Sequence, residues 1–372
     1  MKNRIITLTF IFFLLTSFLL CQIKKDDLIS EKERRRLASK PKISITSLLN
    51  GNYFNKLDTY VTDQIPFRDE FKTIKGNTLK KTMFMKENNG IYEKDNILYQ
   101  IDTKVNVKSI RHLLDKINYI DKTYLTSQNK YFVYIPDKNY YLNDEKIPKI
   151  EYNTIEGNLK NGLPSNYKWI DIKNNLDLSS YYRTDIHWSQ DKIIGVANNI
   201  CENMGLSKLE SYYTSKEYYP FYGALYSKTV TSIKPDKITY LDSDIIRNTK
   251  VYNYEKKGYE KVYKESNLNN IDSYDIYLSG ATALLTLENN SNTSGKELIM
   301  FRDSFGSSLA PLLIEKYSKI TMVEWGRNFN LRNNRYRGTN EWEGTDGYDL
   351  SGNEDVLFIY SNVIINNSFT LK

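Results

Sequence analysis

Residues 297–311 read ELIMFRDSFGSSLAP, and this stretch decides the fold more than any other part of the chain. Its first five residues are mostly apolar and predict a buried strand. A polar turn that contains Ser304 follows directly, and a helix is predicted to open between Ser307 and Pro311. A strand that ends in a tight turn before a helix is typical of the sheet edge where α/β proteins bind ligands.

The rest of the chain alternates between helix and strand patterns. Apolar residues at helical spacing predict a helix from Val105 to Ile120, and an N-cap at Ser189 predicts another over residues 189–204. A small hairpin is predicted over residues 91–99. The remaining strands are predicted at residues 131–135, 274–278, 297–301, 320–324 and 356–360, the last two helping to close the sheet. This alternation predicts an α/β fold, specifically a three-layer α/β/α domain.

A second segment, residues 184–188 with the sequence TDIHW, supplies an acid and a base. The whole chain contains only two histidines, so a base for serine chemistry must be His187 or His112. His112 lies on the polar face of its predicted helix, outside the row of apolar residues, which is typical of a solvated surface histidine. His187, in contrast, has the carboxylate of Asp185 two residues away.

The two segments together contain the groups needed for serine-based acyl chemistry. A serine hydroxyl is a weak nucleophile until a base takes its proton, and the imidazole needs a third group to fix its tautomer. We therefore predict Ser304 as nucleophile, His187 as general base and Asp185 as the orienting acid. The amide of Ser304 is expected to face a developing oxyanion. Lesser candidates for oxyanion stabilisation or substrate binding are Gly223, Gly280, Arg302 and Trp188.

Each segment also has a purely structural interpretation. Asp303 and Ser304 form an ordinary N-cap pair, and Asp185 with His187 could be a hydrogen-bonded pair that ties a loop down. Either short pattern alone is a weak functional signal. Their occurrence in one chain favours the active-site interpretation.

Composition excludes several function classes. The formal charge of +7 is modest for 372 residues, and no RNA motif, zinc-finger spacing or P-loop accompanies it, so we expect no nucleic-acid partner. The two cysteines, Cys21 and Cys201, and the two histidines form no metal-ligand spacing, so we predict no metal and no cofactor. The 31 tyrosines have two explanations, namely codon bias in an AT-rich genome or a sugar-binding groove.

The N-terminus predicts a membrane anchor. Residues 5–23 are uncharged and close to the roughly 20 residues that span a bilayer as a helix. Basic residues precede them, so the positive-inside rule predicts a single-pass protein with its catalytic domain outside the cytoplasm. A cleaved signal peptide is the alternative, although no small-residue cleavage site precedes the polar region. The predicted division is an anchor at 1–23, a juxtamembrane spacer at 24–59 and a catalytic domain at 60–365.

In their order, the two segments resemble those of the DHHW family and, more distantly, the alginate O-acetylation proteins. In these families a D-x-H-W segment precedes a [GK]-D-S-[FY] segment. The chain departs from that pattern at Ile186, which replaces the first histidine, and at Arg302, where Gly or Lys is common. Supporting landmarks lie at residues 66–68, 135–138, 296–305, 311, 317 and 355–357.

The resemblance implies an SGNH-hydrolase-like domain with a flavodoxin-like sheet and a triad of Ser304, His187 and Asp185. It also implies O-acetyl transfer to an exported or cell-surface polysaccharide, with a membrane-bound O-acyltransferase as the partner that donates the acetyl group. An acetylesterase is the closest alternative, because water could replace the sugar hydroxyl. A non-catalytic glycan-binding or assembly component is a third possibility.

Overall fold

The computed structural model describes residues 2–30, 32–81, 87–125, 127–144, 147–324 and 354–370. The chain divides into two compact units. Unit 1 comprises Met1–Leu98 and Ala224–Lys234, and unit 2 comprises Tyr99–Gly223 and Pro235–Lys372. The functional division of the chain at residues 23, 59 and 365 stays a prediction.

Helices and strands alternate along most of the described chain. The helices are α1 (Lys2–Ile23), α2 (Ile45–Leu49), α3 (Asn52–Gln64), α4 (Arg68–Lys81), α5 (Val107–Tyr124), α6 (Tyr152–Gly162), α7 (Ile194–Asn203), α8 (Ala224–Thr229), α9 (Asp244–Asn248), α10 (Ser304–Leu313) and α11 (Asn362–Ile365). The strands are β1 (Ile29–Ser30), β2 (Arg35–Arg36), β3 (Glu87–Asn88), β4 (Ile91–Lys94), β5 (Ile97–Gln100), β6 (Asn129–Ile135), β7 (Tyr167–Ile170), β8 (Thr214–Phe221), β9 (Asp236–Asp242), β10 (Lys250–Asn253), β11 (Gly258–Glu260), β12 (Leu284–Glu288), β13 (Glu297–Arg302), β14 (Lys319–Glu324) and β15 (Asp355–Ser361).

Ion pairs connect several segments of unit 1. Arg35 donates to Asp63 on α3 at 2.8 Å, and Arg68 on α4 pairs with Glu33 at 2.6 Å. The hydrogen bond from Arg35 lowers the pKa of Asp63 to about 2. The predicted hairpin is confirmed, since β4 and β5 are neighbours in a three-stranded sheet. Among the residues that the structure describes, none of the helices combines the length and the apolar character needed to cross a membrane.

Unit 2 is built on an eight-stranded sheet. Its strand order is β11-β10-β12-β14-β13-β15-β6-β7. The five strands from β14 to β7 are parallel, whereas β12, β10 and β11 add an antiparallel edge. The mixed α/β class with a large central sheet is therefore confirmed.

The order of the parallel strands differs from the flavodoxin-like order expected from the resemblance. The last strand in the sequence, β15, does not close the sheet but lies between β13 and β6. It is buried along its whole length, as both faces of a central parallel strand must be. The prediction that the last two strands close the sheet is therefore wrong, because β14 also has neighbours on both sides.

Alternate residues of the sheet face two separate hydrophobic clusters. On β13, Leu298 and Met300 pack in one cluster with residues of α7 and α10. Ile299 and Phe301 pack in the other cluster with residues of α5 and α6. Helices thus cover both faces of the sheet, which is why its strands are apolar without alternation.

Several sequence-based element bounds need correction. Residues 273–276 form a 3-10 helix instead of the predicted strand, because Asp272 caps the amide of Tyr274 and the segment is buried on several sides. The helix predicted over 189–204 begins with a 3-10 turn, and α7 itself starts at Ile194. The helix predicted to open between Ser307 and Pro311 begins at Ser304. The helix around 107–120 and the strands at 131–135, 297–301, 320–324 and 356–360 are confirmed.

Candidate active site

Ser304 lies at the first position of α10, directly after the carboxyl end of β13. Asp303 is the N-cap: its carboxylate accepts the Phe305 amide at 3.0 Å and, from the neighbouring strand end, the Ser361 amide at 2.7 Å. Burial raises the pKa of Asp303. The side chain of Ser304 stays partly exposed between buried neighbours, so the turn presents a hydroxyl at the sheet edge.

The loop that carries His187 is closed at its base by backbone pairing. The amide of Tyr182 donates to the His187 carbonyl at 3.1 Å, and the amide of Ser189 donates to Ser180 at 2.8 Å. Trp188 is fully buried, and its indole donates to the Ser308 hydroxyl at 2.8 Å. Because Ser308 lies one turn beyond Ser304 on α10, this bond holds the loop against the helix that carries the serine.

The predicted acid, base and nucleophile come together in unit 2. Nε2 of His187 lies 2.7 Å from Oγ of Ser304, across 117 residues of sequence. Nδ1 of His187 lies 3.3 Å from Oδ2 of Asp185. Asp185 is fully buried and His187 almost so. The arrangement is that of a serine, a base within hydrogen-bond reach and a carboxylate that orients the base.

Asp185 is positioned from behind by Gly223 and Thr184. A Cβ at residue 223 would lie only 2.2 Å from Cβ of Asp185, so this position has room for glycine alone. The Gly223 amide donates to Thr184 Oγ1 at 3.0 Å, and Thr184 in turn donates its hydroxyl to Asp236 at 2.5 Å. The backbone amide of Thr184 also donates to Asp236, at 2.7 Å.

Lys138 supports the same loop from the end of β6. Its ammonium group is buried and donates to the carbonyls of Tyr182 at 2.6 Å and Arg183 at 3.3 Å. Burial lowers the pKa of Lys138 to about 8, while the nearby carboxylates of Asp236 and Asp185 act in the opposite direction. The lysine therefore links the backbone of the loop that carries His187 to the central sheet.

The two glycines proposed for the oxyanion site use their amides elsewhere. The amide of Gly223 binds Thr184, and the amide of Gly280 donates to the Tyr277 carbonyl at 3.0 Å. Gly280 has φ of 80° and leaves no space for a Cβ beside Asp275. Both glycines thus serve close packing, and the role of the Ser304 amide at the start of α10 as an oxyanion donor stays a prediction.

Arg302 and Trp188 lie beneath the site. Arg302 is fully buried, forms an ion pair with Glu324 and donates to Ser307 Oγ at 2.9 Å. Gly306 leaves room for it, since a Cβ there would lie 2.7 Å from that of Arg302. The buried guanidinium of Arg302, with its carboxylate partner, positions the turn beside it, and the buried indole of Trp188 positions the loop. Neither side chain is exposed to a substrate.

Sequence reasoning missed five residues that hold the site. Lys138 was part of a quoted landmark without a role, and Ser308 could have been found from its spacing of four residues from Ser304. Tyr274, whose ring stacks on the His187 imidazole with centroids 3.8 Å apart, was assigned to a strand. Thr184 adjoins the acid, and Asp236 carries no signal in the sequence, because only the fold brings it to residue 184. In the described part of the chain, no group of three metal-ligating side chains occurs.

Comparisons with known proteins agree with this architecture. The sequence profile of the DHHW family, described as DHHW protein, matches residues 33–161. No curated protein sequence matches the chain. The matched residues end before Asp185, His187 and Ser304, so the roles of these three stay predictions.

Two solved structures have similar folds, with TM-scores above 0.5. A DHHW family protein from Eubacterium siraeum has a TM-score of 0.56 at 18% identity, covering 77% of this chain and 95% of its own. PatB1 from Bacillus cereus, with a sulfonyl adduct, has a TM-score of 0.56 at 17% identity, covering 74% and 95%. The O-acetyltransferase domain of Pseudomonas putida AlgJ, at 12% identity and covering 74% and 92%, reaches a TM-score of 0.41, which is too low to support a shared fold. The resemblance of the chain to DHHW family proteins is thus confirmed.

The first prediction concerns Gly223. In Gly223→Ala the new methyl group would collide with buried Asp185 and push its carboxylate away from His187. We expect reaction of Ser304 with an activated acetyl ester to slow at least about tenfold. Overpacking should also lower the free energy of unfolding by about 1–3 kcal/mol, measured by urea denaturation.

Gly195→Ala is the matched control for this substitution. Gly195 lies on α7, and its nearest heavy atom to an added Cβ is Nδ2 of Asn175 at 3.9 Å, an ordinary contact. We expect it to leave the acylation rate unchanged. An unchanged acylation rate in Gly223→Ala would show that the position of the Asp185 carboxylate does not depend on the close approach of the Gly223 backbone.

The second prediction concerns the pH dependence of stability. The pKa of Lys138 in the folded protein, about 8, lies below the value of about 10.4 for an unfolded lysine, so the unfolded chain binds more protons between these values. Stability contributed by this group must therefore rise with pH, by roughly 1–2 kcal/mol from pH 8 to 9.5. Urea denaturation of Lys138→Met at both pH values should lack this rise.

Lys237→Met provides the control, because Lys237 is an exposed lysine that forms an ion pair with exposed Glu217. This variant should keep the rise in stability between pH 8 and 9.5. Equal slopes for the Lys138→Met variant and the unchanged protein would mean that Lys138 keeps its proton throughout.

Proposed function

We propose that this protein is a serine-dependent O-acetyltransferase that transfers acetyl groups to an exported or cell-surface polysaccharide. The observation that carries the proposal is the contact of 2.7 Å between Oγ of Ser304 and Nε2 of His187, with Asp185 at 3.3 Å behind it. A partly exposed serine hydroxyl beside an imidazole and a buried carboxylate is suited to acyl transfer. The SGNH-like assignment rests on the motif order and on the similar folds.

In the proposed first step, Oγ of Ser304 attacks the carbonyl carbon of an acetyl donor while His187 takes the hydroxyl proton. The negative charge that develops on the carbonyl oxygen is stabilised by the Ser304 amide and by the positive end of α10. The tetrahedral intermediate then collapses: the bond to the leaving group breaks, and His187 returns the proton to that group. Acetyl-Ser304 remains.

In the second step, a sugar hydroxyl gives its proton to His187 and attacks acetyl-Ser304. The bond from the acetyl carbon to Oγ breaks, His187 reprotonates Ser304, and the acetylated sugar leaves. Asp185 keeps its charge throughout, since its role is to orient the imidazole and stabilise the imidazolium. If water takes the place of the sugar, the same steps describe an acetylesterase.

The proposed setting is the outside of the cell membrane. Residues 5–23 are uncharged and follow a basic N-terminus, and α1 exposes large apolar side chains along its length. We propose that this segment anchors the chain and that a membrane-bound O-acyltransferase supplies the acetyl group. These proposals rest on the sequence pattern and the resemblance.

The third prediction tests the covalent step. We expect the full-length protein to gain one acetyl group by intact mass after brief exposure to an activated acetyl ester. Ser304→Ala should give no adduct, and His187→Ala should slow its formation by at least about a hundredfold, because general-base catalysis typically contributes 10²–10⁴. A sulfonyl fluoride, suggested by the sulfonyl adduct of PatB1, should label the same serine.

His112→Gln is the control, since it removes the other histidine and should leave the adduct intact. Oligosaccharide acceptors added to acetyl-Ser304 then separate transfer, which gives an acetylated sugar, from hydrolysis, which gives acetate. An adduct that survives Ser304→Ala would refute the assignment of the nucleophile. A protein that reacts with neither reagent would favour the non-catalytic glycan-binding role.

A further inference from the structure

Tyr274 covers one face of the His187 imidazole. The two rings are stacked with centroids 3.8 Å apart and an interplanar angle of 9°. Phe305 contacts the imidazole at 4.8 Å with a tilt of 50°. Because both ring nitrogens are engaged in the ring plane by Asp185 and Ser304, Tyr274 supplies the parallel contact that restricts tilting of the ring.

The Tyr274 ring is itself held by the helix that carries the serine. Its hydroxyl lies 2.9 Å from Oγ of Ser308, which also accepts the Trp188 indole at 2.8 Å. Ser308 donates its own proton to the Phe305 carbonyl at 3.2 Å. An indole can only donate and a serine hydroxyl has one proton, so the Tyr274 hydroxyl must be the donor in its bond to Ser308.

These contacts form a closed circuit. It runs from Ser304 to His187 through a hydrogen bond, from His187 to Tyr274 through the stack, and from Tyr274 to Ser308 through a second hydrogen bond. The backbone of α10 completes this ring of contacts, because Ser304 and Ser308 lie four residues apart, about one helical turn, on the same helix. Movement of the base relative to the serine must therefore disturb the stack or break a hydrogen bond.

The face of an aromatic ring attracts a cation, and this attraction is strongest where water is excluded. Tyr274 is buried, and burial raises its pKa well above the ordinary value, so the phenol stays neutral while the imidazole gains a proton. Asp185 and Asp303 interact with the imidazole, and their negative charges act in the same direction, whereas the buried ammonium group of Lys138, which interacts with Asp185, acts in the opposite direction.

We propose that Tyr274, docked by Ser308, is a positioning residue that clamps His187 beside Ser304 and stabilises the imidazolium formed during acyl transfer. The catalytic consequence rests on the proposed function, because the imidazolium is an intermediate of that reaction. The electrostatic effect is a property of the resting protein and can be measured without turnover. Failure of one is therefore distinguishable from failure of the other.

The fourth prediction uses the scarcity of histidine. With two histidines in the chain, a sample labelled with ¹³C-histidine gives two Cε1–H signals, and His112→Gln assigns them. In Tyr274→Leu, an apolar side chain keeps the site dry but removes the π face. We expect the titration midpoint of the His187 signal to fall by about half to one pH unit, the size expected for a desolvated cation–π contact.

Three comparisons make the test specific. The His112 signal is an internal control and should not move. Tyr277→Leu removes another buried tyrosine, one that contacts the Tyr274 ring at 4.9 Å and donates its hydroxyl to Thr239, so it measures the effect of general loosening. Tyr274→Phe keeps the aromatic face and loses only the bond to Ser308. The Phe variant should keep its midpoint within about 0.3 pH unit, because the π face remains.

The rate of labelling by a sulfonyl fluoride completes the experiment. We expect Tyr274→Leu to label at least about tenfold more slowly than Tyr277→Leu, with its pH dependence displaced by the same amount as the His187 signal. An unchanged or raised His187 midpoint in Tyr274→Leu, or an equal displacement in Tyr277→Leu, would overturn the proposal. A fall in the midpoint in a protein that never reacts at Ser304 would support the stacking effect and count against the proposed function alone.

Discussion

Two buried carboxylates join the ends of three neighbouring strands, and the rest of the site depends on them. Asp303, after β13, accepts the Ser361 amide at the end of β15, and Asp137, after β6, accepts the Asn362 side chain at 2.7 Å. Burial raises the pKa of both carboxyl groups, so each needs these donors to stay charged. The hydrogen bonds set the spacing of the sheet edge on which the serine turn is built.

The loop that carries His187 is attached to the same edge of the sheet through Lys138. This residue directly follows Asp137, and its ammonium group holds two carbonyls of the loop that carries His187. Asp236 holds the loop from another side through the backbone and hydroxyl of Thr184. Ser304 and the loop of His187 are thus fixed at the ends of β13 and β6, the two neighbours of β15 in one sheet, and this shared frame holds the 2.7 Å contact between residues 117 positions apart.

Most strands and helices with a periodic pattern of apolar residues were predicted correctly from the sequence. The apolar strands of the parallel core and the amphipathic helix around 107–120 were predicted correctly, because burial of one or both faces fixes the spacing of apolar residues along the sequence. The segment around Tyr274 was misassigned because its side chains pack in several directions, so burial in it does not mark a strand. The start of α10 was predicted between Ser307 and Pro311, at least three residues late, since Asp303 caps the helix at the strand end itself.

The sequence by itself determined the α/β class and the three residues that meet at the site, because acid, base and serine stand in short segments and histidine is scarce. Only the tertiary structure decided what surrounds them. The central place of β15, the packing of Gly223 on Asp185 and the stack of Tyr274 on His187 arise from contacts between distant segments. Such contacts leave no periodic trace, since each depends on where the fold brings two chain segments together and not on their local composition.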